Sequence, residues 1–267
     1  MAGFQFQEDG DPQSPVLLLA NSLFAGNAMW DAQTAIWSKH YRVLRFHYAG
    51  HGARCVPVAF ADAAALATYL LQALDQLDIE RFHCVGLSLG GMVGLQLALQ
   101  APERLDRLVI ANCRAYQVDA GKAMWDERIA RVRESGVGAV MQETLSRWFT
   151  DDFRIAHPAT IDRVRSMMQG VSSSGYRAAA AMVRDFDARA MLDALSCPTL
   201  VLAGAQDAAA PVAHLQDIAQ QLHANFVTFD PCAHLSNVEC ADAFTCAVME
   251  FLAEGGGSAV YAVRQEV

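Results

Sequence analysis

Five residues constrain this chain more than any others: Gly86-Leu87-Ser88-Leu89-Gly90, a G-x-S-x-G sequence lying between two patterns of different period. Before it, Phe82-His83-Cys84-Val85 reads as a buried strand. After it, Gly91-Met92-Val93-Gly94-Leu95-Gln96-Leu97-Ala98 reads as a helix. Ser88 therefore falls on a strand-to-helix turn. A turn this tight holds the serine at an unfavourable backbone angle, and the glycines two before and two after leave room for the chain to pack. The turn also aims the first N–H groups of the helix at whatever is joined to the serine. The plain alternative is a glycine-rich helix start with an N-cap serine, so the rest of the chain has to discriminate.

Short leucine-rich or β-branched runs alternate with helical patterns, the signature of a mostly parallel sheet flanked by helices. Strands are expected near Val16–Ala20, Arg42–Phe46, Phe82–Gly86, Arg107–Ala111, Thr199–Ala203 and Asn225–Phe229, with Phe4-Gln5-Phe6-Gln7 alternating like an edge strand. Asp62 is placed to N-cap a helix in which Leu66, Tyr69, Leu70, Ala73, Leu74 and Leu77 share one face. Val212 to Leu222, opened by Pro211, and Ala243 to Leu252 read as two more helices.

Between Ala111 and Thr199 the alternation stops. Four helices are expected there, around Trp125–Arg133, Val137–Phe149, Thr160–Met168 and Tyr176–Asp185, punctuated by Gly136, Pro158 and Gly175. A purely helical insertion in an α/β domain belongs over the carboxyl ends of the strands, where such sheets bind ligands. The expected organisation is a core of residues 1–112 and 196–254, a helical lid over 113–195, and a mobile tail over 255–267 that opens in Glu254-Gly255-Gly256-Gly257-Ser258. The fold class is α/β, with helices on both faces of the sheet.

Charge narrows the partners. At a formal net charge of −9 the chain repels nucleic acid and anionic membrane. An anionic substrate would need a local cation to hold it. The start carries Glu8, Asp9 and Asp11 and no basic residue, unlike a secretory signal, and the most apolar stretch, Val85 to Leu99, is too interrupted to span a bilayer. Seven unpatterned cysteines suit a reducing cytoplasm. Cys232-Ala233-His234 has no second ligand pair at zinc spacing and is read as a buried thiol beside a loop histidine, so no metal is expected.

A serine hydroxyl needs a base, and the base needs an orienting acid. Behind a serine on this kind of turn, the acid comes next in the chain and the histidine last. Asp207 follows the strand ending at Ala203, and His234 follows the strand ending at Phe229, so both exit on the rim that carries Ser88. Asp230 is the second candidate acid, but it leaves the same strand as the histidine and reads as a turn residue. His51, in Gly50-His51-Gly52, precedes the serine and reads as a turn histidine near the rim. For an oxyanion, two N–H donors are required. Leu89 follows the nucleophile, and Leu23 lies in the loop after the first core strand.

Leu19-Ala20-Asn21-Ser22-Leu23, Met29-Trp30-Asp31, Gly50-His51-Gly52, Gly86 to Met92, Pro102 to Val109, Trp148-Phe149-Thr150 and Ala233-His234-Leu235-Ser236-Asn237-Val238-Glu239 follow in order. In these segments the chain resembles the 3-oxoadipate enol-lactonases, of the α/β-hydrolase fold, over nearly its whole length. The resemblance implies cofactor-free ring opening through an acyl-serine, in the breakdown of aromatic compounds, and gives Ser88, Asp207 and His234 the roles that their spacing suggests. Three segments depart from the family pattern: Phe24-Ala25 stands for Gly-Thr, His47-Tyr48-Ala49 for Asp-Thr-Arg, and Ala208-Ala209-Ala210 for a turn with Pro and Thr.

The expectation is therefore a serine esterase or lactonase acting on a small ester or lactone, with Phe24, Trp148 and Trp125 as candidate substrate contacts. Arg114 and Arg147 are candidates for a substrate carboxylate, against the plainer reading of solvated surface charges. Rival readings are a carboxylesterase, a diketone carbon–carbon hydrolase with the same triad, and a ligand-binding protein that keeps the fold. Dehalogenases and epoxide hydrolases place an aspartate where Ser88 stands. A homo-oligomer is compatible with everything above.

Overall fold

The computed structural model describes residues 6–52, 55–56 and 59–253. In chain order its strands are β1 (Gln7–Asp9), β2 (Val16–Ala20), β3 (Arg42–Arg45), β4 (Phe82–Leu87), β5 (Leu105–Ala111), β6 (Thr199–Gly204) and β7 (Asn225–Phe229). They form one sheet in the order β1-β3-β2-β4-β5-β6-β7, parallel except for β1. Uninterrupted apolar runs make the central strands: Leu17, Leu18 and Leu19 are all fully buried, which requires cover on both faces. Burying each such side chain contributes roughly 1.5–3 kcal/mol.

Among the described residues the edge strand runs over Gln7–Asp9, where Glu8 and Asp9 pair with Arg42 and Arg45 of β3, each at 2.7 Å. Phe6 is buried ahead of it, edge-on to Phe46, while Phe4 and Gln5 lie outside the described residues, as does the tail from Glu254.

Flanking helices follow their sequence patterns. In α1 (Asp31–Trp37) the run is too short for periodicity to announce it. At α2 (Ala63–Asp75), Asp62 Oδ1 accepts from the Ala65 N–H at 2.8 Å, and Leu66, Leu70 and Leu74 are buried. Apolar nearly all round, α3 (Leu89–Gln100) is buried against the sheet. A Cβ on Gly94 would lie 2.8 Å from Leu108 Cδ1 and one on Gly91 2.7 Å from Cys113 Cβ, so glycine permits the close approach to β5 and its exit.

Five α-helices, not four, lie between β5 and β6: α4 (Asp119–Ser135), α5 (Gly138–Trp148), α6 (Asp151–Ala156), α7 (Pro158–Gln169) and α8 (Ser173–Asp185). The unforeseen one, α6, spans 6 residues and rests on its cap, where Thr150 Oγ1 accepts from the Phe153 N–H. Gly136 closes α4 at φ 75°, and Pro158 opens α7. Gly175 does not break a helix. It lies in the first turn of α8, where a Cβ would come within 2.4 Å of Ala49 O, and so it seats α8 on the loop that carries His51. After β6 come α9 (Val212–Gln221), the four-residue α10 (Ser236–Glu239) and α11 (Ala241–Ala253). Among the described residues no helix is long and apolar enough to cross a membrane.

Candidate active site

Ser88 stands between β4 and α3 at φ 56° and ψ −114°, a backbone conformation that costs about 1–3 kcal/mol for a residue with a Cβ. The surrounding chain holds it there. Its N–H donates to Ala111 O at 2.8 Å, and its carbonyl accepts from the Met92 N–H at 3.2 Å. A Cβ on Gly86 would approach Gly90 O to 2.2 Å, and one on Gly90 would approach Ala20 O to 2.0 Å. Both glycines are thus required by close packing of the main chain, as the motif implies.

Asp207 leaves β6 in a turn whose N–H donates to Gly204 O at 3.2 Å. Its carboxylate is buried and surrounded by donors alone. Oδ1 accepts from the N–H groups of Ala209 at 2.7 Å and Ala210 at 3.1 Å; Oδ2 accepts from Asn112 Nδ2 at 2.9 Å and His234 Nδ1 at 2.7 Å. The alanines after the acid therefore act through their backbone. Since Nδ1 donates to the carboxylate, Nε2 of His234 is left as the acceptor nitrogen of the neutral ring. His234 is buried too, and with Ser88 it lines a cavity of about 560 Å³. Asp230, by contrast, is exposed and absent from that wall.

Asn112 is the residue of this cluster that sequence reasoning missed. It follows β5 at φ 48°, donates to Asp207 and to Ala233 O at 3.3 Å, and accepts from Ser236 Oγ at 2.5 Å. The only local signal is an amide closing an apolar strand, and Asn tolerates the left-handed region.

The loop after β2 is built on Asn21, fully buried. Its Nδ2 donates to Phe46 O and Asn27 Oδ1, its Oδ1 accepts from Trp30 Nε1, and its carbonyl accepts from Tyr48 Oη. Next along, the Phe24 N–H donates to His51 Nε2 at 3.3 Å, while His51 Nδ1 donates to Ala49 O at 3.1 Å. Burial holds the His51 ring neutral by pushing its pKa down to about 4. His51 is thus more than a turn residue: it anchors the loop that presents Leu23. The N–H groups of Leu23 and Leu89 have no acceptor among the described residues; Leu23 lines the same cavity as Ser88, and Leu89 follows Ser88 in the chain.

Phe24, Trp148 and Trp125 all line the cavity. Phe24 takes φ 70°, its ring edge-on to Tyr176 at 4.9 Å and to Trp148 at 6.5 Å. Three arginines share the wall. Arg128 is committed: it bonds Glu143, Thr144 and Tyr176 and lies over the Trp125 ring. Arg147 and Arg114, both half-buried, have no carboxylate within salt-bridge distance among the described residues; Arg147 meets Met124 Sδ and Arg114 bonds Ala209 O. Burial lowers the pKa of both, and Arg128 lowers that of Arg147 further. No cluster of three or more potential metal ligands occurs among the described residues, and the seven cysteines are free.

A profile of the α/β-hydrolase fold matches residues 15–240. The chain is 33% identical to 3-oxoadipate enol-lactonase 2 of Acinetobacter baylyi, over 90% of this chain and 89% of that one. It is 29% identical to a relative named for carbamate hydrolysis, RutD of Agrobacterium fabrum, over 93% and 97%. Among solved structures, the enol-lactonase of Burkholderia xenovorans LB400 superposes with a TM-score of 0.87 at 32% identity, covering 94% of this chain and 96% of that one. A hydrolase of Pseudomonas aeruginosa PA01 does so at 0.86 and 40%, covering 93% and 94%. The chain is a hydrolase that belongs to the α/β-hydrolase fold family, among the relatives of the 3-oxoadipate enol-lactonases.

Proposed function

We propose that the chain is a serine hydrolase that opens a small carboxylated lactone or ester through an acyl-Ser88 intermediate. One observation carries the reading: a serine at a positive-φ strand–helix turn shares a cavity with a buried Asp–His pair whose free ring nitrogen is an acceptor. Ser88 Oγ attacks the carbonyl carbon as His234 Nε2 takes its proton, and the oxyanion accepts from the N–H groups of Leu23 and Leu89. Collapse breaks the bond to the ring oxygen, which leaves as an enolate, takes the proton that His234 Nε2 received from Ser88 and becomes a ketone on the same acyl chain, leaving His234 neutral. Water then attacks the acyl-serine, giving one proton to His234, which returns it to Ser88. No cofactor enters this scheme, and free thiols fit a reducing cytoplasm.

Arg147 and Arg114 support an anionic substrate, since a half-buried cation with no carboxylate within salt-bridge distance among the described residues favours an arriving one, and the net charge of −9 leaves attraction to local groups. Arg147→Met is expected to lower kcat/KM for an anionic enol-lactone by roughly 10- to 100-fold, a charged hydrogen bond being worth about 1.5–3 kcal/mol. Activity on a neutral aryl acetate should change little. Steady-state kinetics on both substrates, with a diketone and a carbamate as further arms, makes the test. Equal losses on the anionic and neutral substrates would remove Arg147 as the anion site, and faster turnover of diketone or carbamate would replace the lactone.

Phe24 occupies the left-handed position that the enol-lactonase pattern gives to glycine, so Phe24→Gly relieves strain while it removes a buried ring. The space gained lies beside the acyl site. The ratio of kcat/KM for a branched over a short aryl ester should rise at least ~10-fold, because one methylene alone is worth about 1–3 kcal/mol in discrimination. A ratio within twofold of wild type, in a protein that still labels at Ser88, would show that the ring does not limit the acyl group.

A further inference from the structure

His234 is bracketed by backbone bonds that tie it to the helical insertion. On its amino side, the Ala233 N–H donates to Glu239 Oε2 at 2.7 Å, and the Ala233 carbonyl accepts from Asn112 Nδ2. On its carboxyl side, the Leu235 N–H donates to Trp148 O at 3.0 Å. Glu239 reaches the insertion through its other oxygen: Oε1 accepts from the Thr150 N–H at 2.9 Å and from Thr150 Oγ1 at 2.5 Å. Thr150 Oγ1 in turn accepts from the Phe153 N–H at the start of α6, which leaves its proton to point at Glu239.

We infer that Glu239 is a positioning residue that locks the His234 loop to the insertion segment Trp148–Thr150, so that the base and the cavity wall carrying Arg147 and Trp148 keep one fixed geometry. Every hydrogen-bond partner of the Glu239 carboxylate is a donor. A carboxylate is acceptor-only and satisfies all three, whereas a glutamine must turn its NH₂ toward either the Ala233 N–H or Thr150. The mismatch falls either one residue from His234, at Ala233, or at Thr150, two residues past the Trp148 carbonyl that holds Leu235, and the ring, which Asp207 holds by one nitrogen, shifts with its backbone. Displacements of about 1 Å at a reacting group cost on the order of 10²-fold in rate. Thr150→Val removes the hydroxyl arm of the clamp together with the cap of α6, and Thr150→Ser keeps both.

The inference rests on His234 acting as the base for Ser88, and the experiment separates the two. A fluorophosphonate small enough to make no contact with Arg147 reports the rate of attack by Ser88, measured on the full chain well below its melting midpoint. Wild type should label and His234→Ala should not; if wild type fails to label, the serine-hydrolase reading falls and not merely the clamp. Given labelling, Glu239→Gln should slow it about tenfold or more and Thr150→Val roughly threefold or more, with Thr150→Ser near wild type. The double variant Glu239→Gln/Thr150→Val should match Glu239→Gln alone within about twofold, as partners in one network do. On a neutral aryl acetate, kcat should fall with KM within about twofold of wild type, which a general loss of stability would not produce. Labelling of Glu239→Gln and Thr150→Val within twofold of wild type, effects that multiply, or a Thr150→Ser as slow as Thr150→Val would each overturn the clamp. Should Glu239→Gln fail to fold, the Thr150 pair decides by the same criteria.

Discussion

Replacing Ser88 by alanine is expected to lower kcat by on the order of 10⁴–10⁶, with His234→Ala costing about as much and the double variant little more. The near-equality follows from the chemistry: without the base the hydroxyl is a poor nucleophile, and without the hydroxyl the base has nothing to activate. Residual turnover would come from the Leu23 and Leu89 N–H groups and from binding, which Ser88→Ala leaves in place. Stability should hardly change, because alanine meets the same φ of 56° that serine already occupies, and Ser88 bonds its neighbours through backbone groups. Single-turnover kinetics on an aryl ester gives the comparison. Losses that simply multiply in the double variant would show that the two side chains do not work as a unit.

Asp207→Asn is expected to cost on the order of 10⁴ in kcat with the fold intact. Four donors converge on this carboxylate, two on each oxygen. An amide can present an oxygen to only one pair. With that oxygen toward Ala209 and Ala210, the NH₂ faces His234 and drives its ring to the tautomer with the proton on Nε2, which cannot take one from Ser88. With the oxygen toward His234, the NH₂ opposes two backbone N–H groups that hold the turn, so the penalty appears as stability instead, about 1–3 kcal/mol for unmet buried donors. Rates and denaturation midpoints together distinguish the two. Near-normal activity with a normal midpoint would move the acid elsewhere, with Asp230 next to test.

Much of this was legible in the sequence because it is local. Val16–Ala20 and Asn225–Phe229 are strands with the bounds that their apolar runs suggest, and Ser88 lies on the turn that its flanking glycines require. What escaped is held by contacts between distant segments. Asn112 meets Asp207 95 positions on and Ser236 124 positions on. Glu239 meets Thr150 across 89. Periodicity carries no trace of such bonds, and an amide or a carboxylate in a loop looks the same whether it faces water or a buried donor. His51 illustrates the same limit: its turn was readable, its bond to the Phe24 N–H was not. Helix α6 escaped for another reason, since 6 residues make fewer than two turns and leave no stripe to recognise.

The central claim is that catalysis passes through a covalent ester on Ser88 made with His234 as base. Mass analysis of the protein during turnover of a slow aryl ester, quenched in acid and digested, tests it most directly. The account predicts one acyl group per chain, carried on the peptide that contains Ser88, appearing in a burst equal to the enzyme concentration and absent from Ser88→Ala and His234→Ala. An acyl group on any other residue, or turnover that survives in Ser88→Ala at near the wild-type rate, would contradict it.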